Sequence, residues 1–362
     1  MADISRECAN KQADGAAAPQ ASPIWKFPGS ARSPEGDYEA FTSNAAVIDL
    51  GQLAIFELYG PDATRFLQGM ISNDVVRLAA GQGCLAALLT PIGKMIADLI
   101  VLKDSPDRFR IVCQRGLLGR ATSALNRFII TDRVQLQETA ELTALGVFGP
   151  ASAAHLSKWI ALVPAGPFDH CRAELAGAPS LVFRDTRFGV VGYQLWMPIS
   201  CVQQCVEHLS EECRVKPAGP EAVEALRIEA GMPAYGQDYD ETNIPLECNL
   251  NDAISLSKGC YTGQEVISRV THLGSVAKKL MGLRLQGNVV PRPGEEISWE
   301  GQPVGRVTSA TRSFKPERVV ALAYILKKFL SLQGEVQLSQ SGLRATIQTL
   351  PLVSRQAESL DS

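Results

Sequence analysis

Lys258-Gly259-Cys260-Tyr261-Thr262-Gly263-Gln264-Glu265 places a thiol, an amine and two glycines directly ahead of an apolar helical pattern, Val266, Ile267 and Val270. Thr262 and Glu265 have the spacing of a capping box, in which hydroxyl and carboxylate satisfy each other's orphan backbone N–H groups. That predicts a helix start here and puts Cys260 just outside its N-terminus. The partial positive charge of a helix end favours thiolates and anions, and Lys258 adds a second cation. Gly259 and Gly263 admit backbone conformations closed to other residues. Cys260 could then serve as nucleophile, redox group or soft metal ligand. It could equally be a small residue filling a tight turn, and both readings stand. Glu265 could act as acid or base, but capping accounts for it. Tyr261 could stack on a planar ligand or be buried beside the turn. No histidine adjoins Cys260, and His272 falls at the far end of the helix.

Two acids and one cysteine group form the other candidates. Asp98 stands alone among Met95, Ile96, Ala97, Leu99 and Ile100. A carboxylate in an apolar strand is costly unless bonded, which marks it for function; the alternative is a solvent-facing strand end. Glu247 lies in a segment of little regular pattern. Cys201, Cys205 and His208 share one helical stripe beside Val202, Val206 and Leu209. One helix rarely completes a tetrahedral metal site, so core packing is the preferred reading and no metal is expected.

The elements that must position these residues follow from periodicity. Strands are expected at 52–58, 84–89, 97–102, 109–113, 134–136, 142–148, 181–184 and 190–197. A turn at Pro91-Ile92-Gly93-Lys94 joins two of them. Helices are expected after Pro61 with an apolar face of Ala63, Phe66, Leu67 and Met70, over 117–128, over 150–160, and to about 209 from a second capping box at Ser200 and Gln203. Another starts at Pro220 and stops at Gly231 and Pro233. From 279 to 349, short strands separated by glycine and proline turns predict a small β-barrel or sandwich. Strands and helices mix without βαβ alternation, and neither Gly-x-Gly-x-x-Gly nor a phosphate loop occurs, so the fold class is α+β. The domain reading is a disordered leader over 1–43, a mixed region over 44–275 that reads as two subdomains, a β-barrel over 276–352 and a disordered tail over 353–362.

The chain has 362 residues, 46% hydrophobic and 20% charged, the composition of a soluble globular protein. A net charge of -3 gives no electrostatic case for non-specific nucleic-acid or membrane binding. No apolar run approaches the roughly 20 residues of a membrane span. Nine scattered cysteines make no disulfide framework, which points to the cytoplasm.

The octapeptide KGCYTGQE resembles the signature of the YgfZ-type folate-binding proteins, relatives of the glycine-cleavage T-protein, a tetrahydrofolate-dependent aminomethyltransferase. The likeness extends over about 44–352. Leu58-Tyr59-Gly60-Pro61-Asp62-Ala63, with Phe66-Leu67-Gln68 and Ser72-Asn73-Asp74-Val75, is similar to the T-protein's N-terminal pattern. Arg227-Ile228-Glu229-Ala230-Gly231 and Pro245-Leu246-Glu247 are similar to its central segment, and Val304-Gly305-Arg306-Val307-Thr308-Ser309 to its C-terminal barrel. The resemblance implies a folate-binding region of mixed sheets and helices around a central pocket, followed by a small β-barrel. It implies tetrahydrofolate or a derivative as cofactor, with Asn73, Asp98, Tyr193, Arg227, Glu247 and Tyr261 as binding residues. Cys260 and Lys258 map onto the motif's functional pair, with Asp98 a further catalytic candidate. The role so implied is an accessory protein for iron–sulfur enzyme assembly or repair, affecting tRNA modification indirectly, with iron–sulfur enzymes or assembly proteins as partners.

Departures from the T-protein pattern are specific. One of two adjacent acids is replaced at Ala97-Asp98. Val190 stands where a pterin-binding glutamate belongs, and valine cannot accept the ring's N–H donors. Gln264 stands where an arginine follows the motif glycine. Two alternatives to the accessory role accompany it: a tetrahydrofolate-dependent aminomethyl or one-carbon transferase, with Asp98 as acid/base group, and a thiol redox protein using Cys260.

Overall fold

Apolar runs in the first two-thirds of the chain pair as antiparallel strands, and short helices cover the outer faces. The computed structural model describes residues 32–274, 276–314 and 317–353. In chain order the elements are α1 (Pro34–Ser43), β1 (Ala46–Asp49), β2 (Leu53–Tyr59), α2 (Ala63–Met70), β3 (Gln82–Leu89), β4 (Met95–Ser105), β5 (Arg108–Gln114), α3 (Leu118–Asn126), β6 (Gln135–Glu138) and β7 (Leu142–Phe148). There follow α4 (Ser152–Leu156), β8 (His170–Leu175), β9 (Ala178–Arg184), β10 (Gly192–Pro198), α5 (Val202–Glu211), α6 (Pro220–Ala230) and α7 (Gln264–Leu273). The last part holds β11 (Lys278–Leu285), β12 (Glu296–Trp299), β13 (Gln302–Phe314), β14 (Glu317–Leu326), β15 (Glu335–Leu338) and β16 (Arg344–Gln348).

Two five-stranded sheets, ordered β3-β4-β5-β2-β6 and β1-β7-β10-β9-β8, precede a closed barrel ordered β11-β14-β13-β12-β15-β16. This is the mixed α+β architecture with a small C-terminal barrel that the sequence implied. The inner faces of the sheets share one core: Ile55, Ile100 and Val112 from one meet Ile48, Phe148 and Trp196 from the other. Alternation along each strand sends the remaining apolar side chains outward. There Phe66 and Leu125 of α2 and α3 cover the first sheet, and Leu156 and Leu209 of α4 and α5 cover the second. Among the described residues no helix is long and apolar enough to cross a membrane.

Three expectations need correction. Residues 34–43 of the expected leader form α1. Ser33 accepts a hydrogen bond from the Gly36 N–H, Pro34 suits the first turn, and Tyr38 and Phe41 are buried in the inter-sheet core. The rest of the leader, 1–31, and most of the tail, 354–362, lie outside the described residues. The helix expected over 150–160 is confined to α4. Neither expected capping box forms: α5 follows a 3-10 turn at Ile199–Cys201 with Gln203 bonded to Glu207, and α7 starts at Gln264 behind Gly263.

Candidate functional site

On β4, Ala97, Leu99 and Val101 face α2 and α3, while Asp98 shares the opposite face with Ile100 and Leu102. The carboxylate therefore points between the sheets. It pairs across the ladder with Ala87 and accepts a hydrogen bond from the Tyr239 hydroxyl. Tyr239 is buried among Ala87, Leu89, Met95 and Tyr261. Burial first, and the Asp98 charge second, hold its phenol well above the usual tyrosine range, so it stays a donor.

A cavity of about 660 Å³ opens between the sheets, lined by Asn73, Cys84, Leu85, Phe168, Arg187 and Asp252 among others. Asn73 is fixed by donating to the carbonyls of Leu85 at 2.7 Å and Asp252 at 3.0 Å. Arg187 comes from the connection between β9 and β10. Its Nε and Nη2 donate to Asp185 at 3.0 and 2.9 Å. Asp185 is fully buried and also accepts from Gln194 Nε2 at 2.7 Å; Gln194 in turn accepts from Trp196 Nε1 at 3.0 Å. Burial alone would raise the Asp185 pKa, but the Arg187 charge and these donors hold it below the carboxylate range. Val190 packs in the inter-sheet core.

The octapeptide proves to be a splice between elements. The Lys258 ammonium donates to the carbonyls of Gln68, Ile71 and Asn73, each at 2.7 Å. Two of these lie at the C-terminus of α2, where helix carbonyls lack partners. Lys258 is 7% exposed, and its amine sits 5.1 Å from the Tyr261 ring centroid. Burial pulls its pKa down to about 8. Tyr261 is buried and its phenol is pushed up to about 12. Gly263 has φ 84°, and a Cβ there would stand 2.6 Å from the Thr90 carbonyl oxygen, so only glycine fits. This turn intervenes between Cys260 and α7, leaving Gly259 and Cys260 exposed and away from the helix end. Glu265 is exposed and pairs with Arg269 at 2.9 Å.

Two expected outcomes follow. Lys258→Met leaves three carbonyls without their donor and is expected to cost about 2–3 kcal/mol in urea unfolding; a midpoint equal to wild type would show that the carbonyls find other partners. Alkylation at pH 8 followed by mass spectrometry is expected to label Cys260 before the half-buried Cys84 and the buried Cys113 and Cys248, whose thiols burial pushes up to about 12. Labelling of those three at the Cys260 rate would contradict the burial.

Of the expected binding residues, Asn73 lines the cavity, while Asp98 and Tyr261 flank Tyr239. Three others lie elsewhere. Tyr193 points to the outer face of its sheet, against Leu145 and Cys205, because its neighbour Gln194 takes the inner face. Arg227 is committed to Glu224, Asp238 and Ser309 at 2.6–2.8 Å, tying α6 to the barrel. Glu247 accepts from Asn243 Nδ2 and the Ile244 N–H, closing its own turn. Cys205 and Val206 of α5 are buried in the outer core, and no cluster able to hold a metal occurs among the described residues. Sequence reasoning missed Arg187 and Tyr239. The Asp185-Thr186-Arg187 spacing between two strands was a usable signal for the first; nothing local pointed to the second.

Residues 13–258 match the GCVT N-terminal domain, and residues 278–353 the glycine cleavage T-protein C-terminal barrel domain. The chain is 28% identical over 310 residues to an aminomethyltransferase of Rippkaea orientalis, covering 83% of this chain and 84% of that one. It is 29% identical over 326 residues to one of Synechococcus, covering 88% and 90%, and 27% identical over 349 residues to one of Bacillus licheniformis, covering 92% and 93%. Glycine cleavage system aminomethyltransferase T from Bartonella henselae superposes with a TM-score of 0.83 at 23% identity, covering 93% and 94% of the two chains. These matches overturn the expected YgfZ-type assignment and the accessory function drawn from it. The iron–sulfur and tRNA roles rested on the octapeptide, whose lysine and second glycine serve the joint between α2, α7 and the turn at Thr90.

Proposed function

Because the chain belongs to the glycine-cleavage T-protein family, we propose that it is a folate-dependent aminomethyl, or one-carbon, transferase with its folate between the two sheets. The observation that carries this reading is Asp98, a lone carboxylate on the inner face of a strand, held by Tyr239 near a cavity of about 660 Å³. That volume lies within the range of roughly 300–1,000 Å³ of small-molecule sites. Leu85 and Phe168 offer apolar walls to a flat ring, while Asn73, Arg187 and Asp252 offer polar edges. The residues present therefore fit a folate. Bound there, tetrahydrofolate supplies two nitrogens that take up the one-carbon unit.

Tyr239 occupies Oδ1 of Asp98 and leaves Oδ2 to hold or release a proton. The phenol donates and does not ionise, so it fixes the orientation of the carboxylate. The core around it, built from Ala87, Leu89 and Met95, excludes water from one side. Val190 is packed in the core and does not line the cavity, so polar recognition there falls to Arg187, Asn73 and Asp252.

The test is turnover of methylene- or formyl-tetrahydrofolate with candidate amines, beside calorimetry with tetrahydrofolate. The expected result is saturable binding and tetrahydrofolate formation with at least one amine. Failure to bind tetrahydrofolate, together with no turnover, would sink the reading.

A further inference from the structure

Arg187 is built to present one face to the cavity. Its Nε and Nη2 are spent on Asp185, and its backbone N–H bonds the same carboxylate at 3.0 Å. Asp185 is itself fixed by Gln194, and Gln194 by Trp196. The guanidinium plane is therefore locked through three successive side chains, and its side chain is 13% exposed. Nη1 makes no hydrogen bond within the described residues, and the residue lines the cavity. A buried, preorganised fork with a free edge is a donor surface for a planar acceptor pair. The Asp98 carboxylate is near enough to act on the same guanidinium. The cavity region thus offers a cationic donor edge and, close by, a carboxylate.

We propose that Arg187 is a specificity-determining residue that binds a ligand carboxylate in the cavity. The inference rests on the one-carbon transferase reading and extends it to what the ligand carries. Two sources share this chemistry: a small amino acid, whose nitrogen would face Asp98, and the glutamyl tail of the folate. Arginine meets a carboxylate with two parallel N–H donors where lysine offers a point charge, so the Arg187→Lys variant keeps a cation beside Asp185 and loses the fork.

The experiment is calorimetry of wild type, Arg187→Gln and Arg187→Lys with two probe pairs: N-methylglycine against dimethylamine, and tetrahydrofolate against tetrahydropterin. Each pair differs in its carboxylates. The expected result is a loss of about tenfold or more in both variants for a carboxylate probe, with its carboxylate-free partner unchanged. A loss confined to N-methylglycine assigns the subsite to an amino acid; a loss confined to tetrahydrofolate assigns it to the tail. Equal affinity of wild type and Arg187→Lys for both carboxylate probes overturns the proposal, as does wild-type protein that binds neither. So does an equal loss for carboxylate and carboxylate-free probes, which marks a merely structural role. If Arg187→Gln fails to fold, Arg187→Lys decides alone. Should tetrahydrofolate and tetrahydropterin both fail to bind wild type, the folate reading falls while the N-methylglycine arm still judges Arg187.

Discussion

Asp98→Asn is expected to lower one-carbon turnover by about 10²–10⁴-fold, the usual contribution of a general acid or base. Tetrahydrofolate affinity should change far less. The amide is close to the carboxylate in size, and its oxygen can still accept from the Tyr239 hydroxyl. What it cannot do is gain or lose a proton at the vacated oxygen. Stability should stay within about 1 kcal/mol of wild type, because no buried partner is orphaned. The measurement is kcat and KM beside thermal unfolding. Turnover within about threefold of wild type would remove Asp98 from proton transfer and, with it, the main support for the proposed chemistry. Tyr239→Phe makes a graded companion. Without the phenol the carboxylate loses the donor that orients it, so kcat should fall by less than in Asp98→Asn.

Asp238→Ala is expected to cost about 3–5 kcal/mol, the toll of leaving a buried charge without its partner. Its carboxylate is fully buried and accepts four hydrogen bonds: from Arg227 Nη1 at 2.6 Å, the Ala234 N–H at 3.0 Å, and the hydroxyls of Thr308 and Ser309, both at 2.5 Å. Two of these partners lie on β13, one on α6, and one in the segment that follows α6. Removing the carboxylate takes from the Arg227 guanidinium its fully buried counter-charge and leaves it Glu224, whose side chain is 37% exposed. Thr308 and Ser309 then lose the acceptor that seats the barrel. Urea unfolding should show the loss, and hydrogen exchange should quicken on β13 and α6. An Asp238→Ala protein within about 1 kcal/mol of wild type would mean that water or Glu224 replaces the carboxylate.

Much of the fold was legible because its cues are local. The apolar run of β7, Leu142–Phe148, and the Pro220 start of α6 sit where periodicity and capping place them. Gly231 ends α6 at φ 71°, in the left-handed conformation glycine favours. The barrel announced itself through short strands between glycine turns. Helix α1 was hidden by its surroundings: a long Ala-, Pro- and Ser-rich stretch masked Ser33-Pro34 and the Tyr38–Phe41 spacing. The pairing of β1 with β7 and the facing of the two sheets are non-local, and no window of sequence carries them.

The site divides the same way. Asp98 was visible because a carboxylate among apolar residues is costly. Its partner Tyr239 is 141 residues away, beyond any spacing rule. Lys258 was visible as a cation near a cysteine, but its acceptors are carbonyls, which every residue possesses and which a sequence cannot single out. The Thr262–Glu265 spacing suggested a cap that the left-handed turn at Gly263 pre-empted. The octapeptide pointed to one branch of a superfamily, whereas agreement along the whole chain points to another.

One peptide bond separates Asp238, which seats the barrel, from Tyr239, which holds the acid. The carboxylate that anchors the barrel and the phenol that bonds Asp98 are therefore neighbours in the chain. The barrel contributes no atom to the carboxylate's immediate shell, yet it fixes the residue next to the one that does.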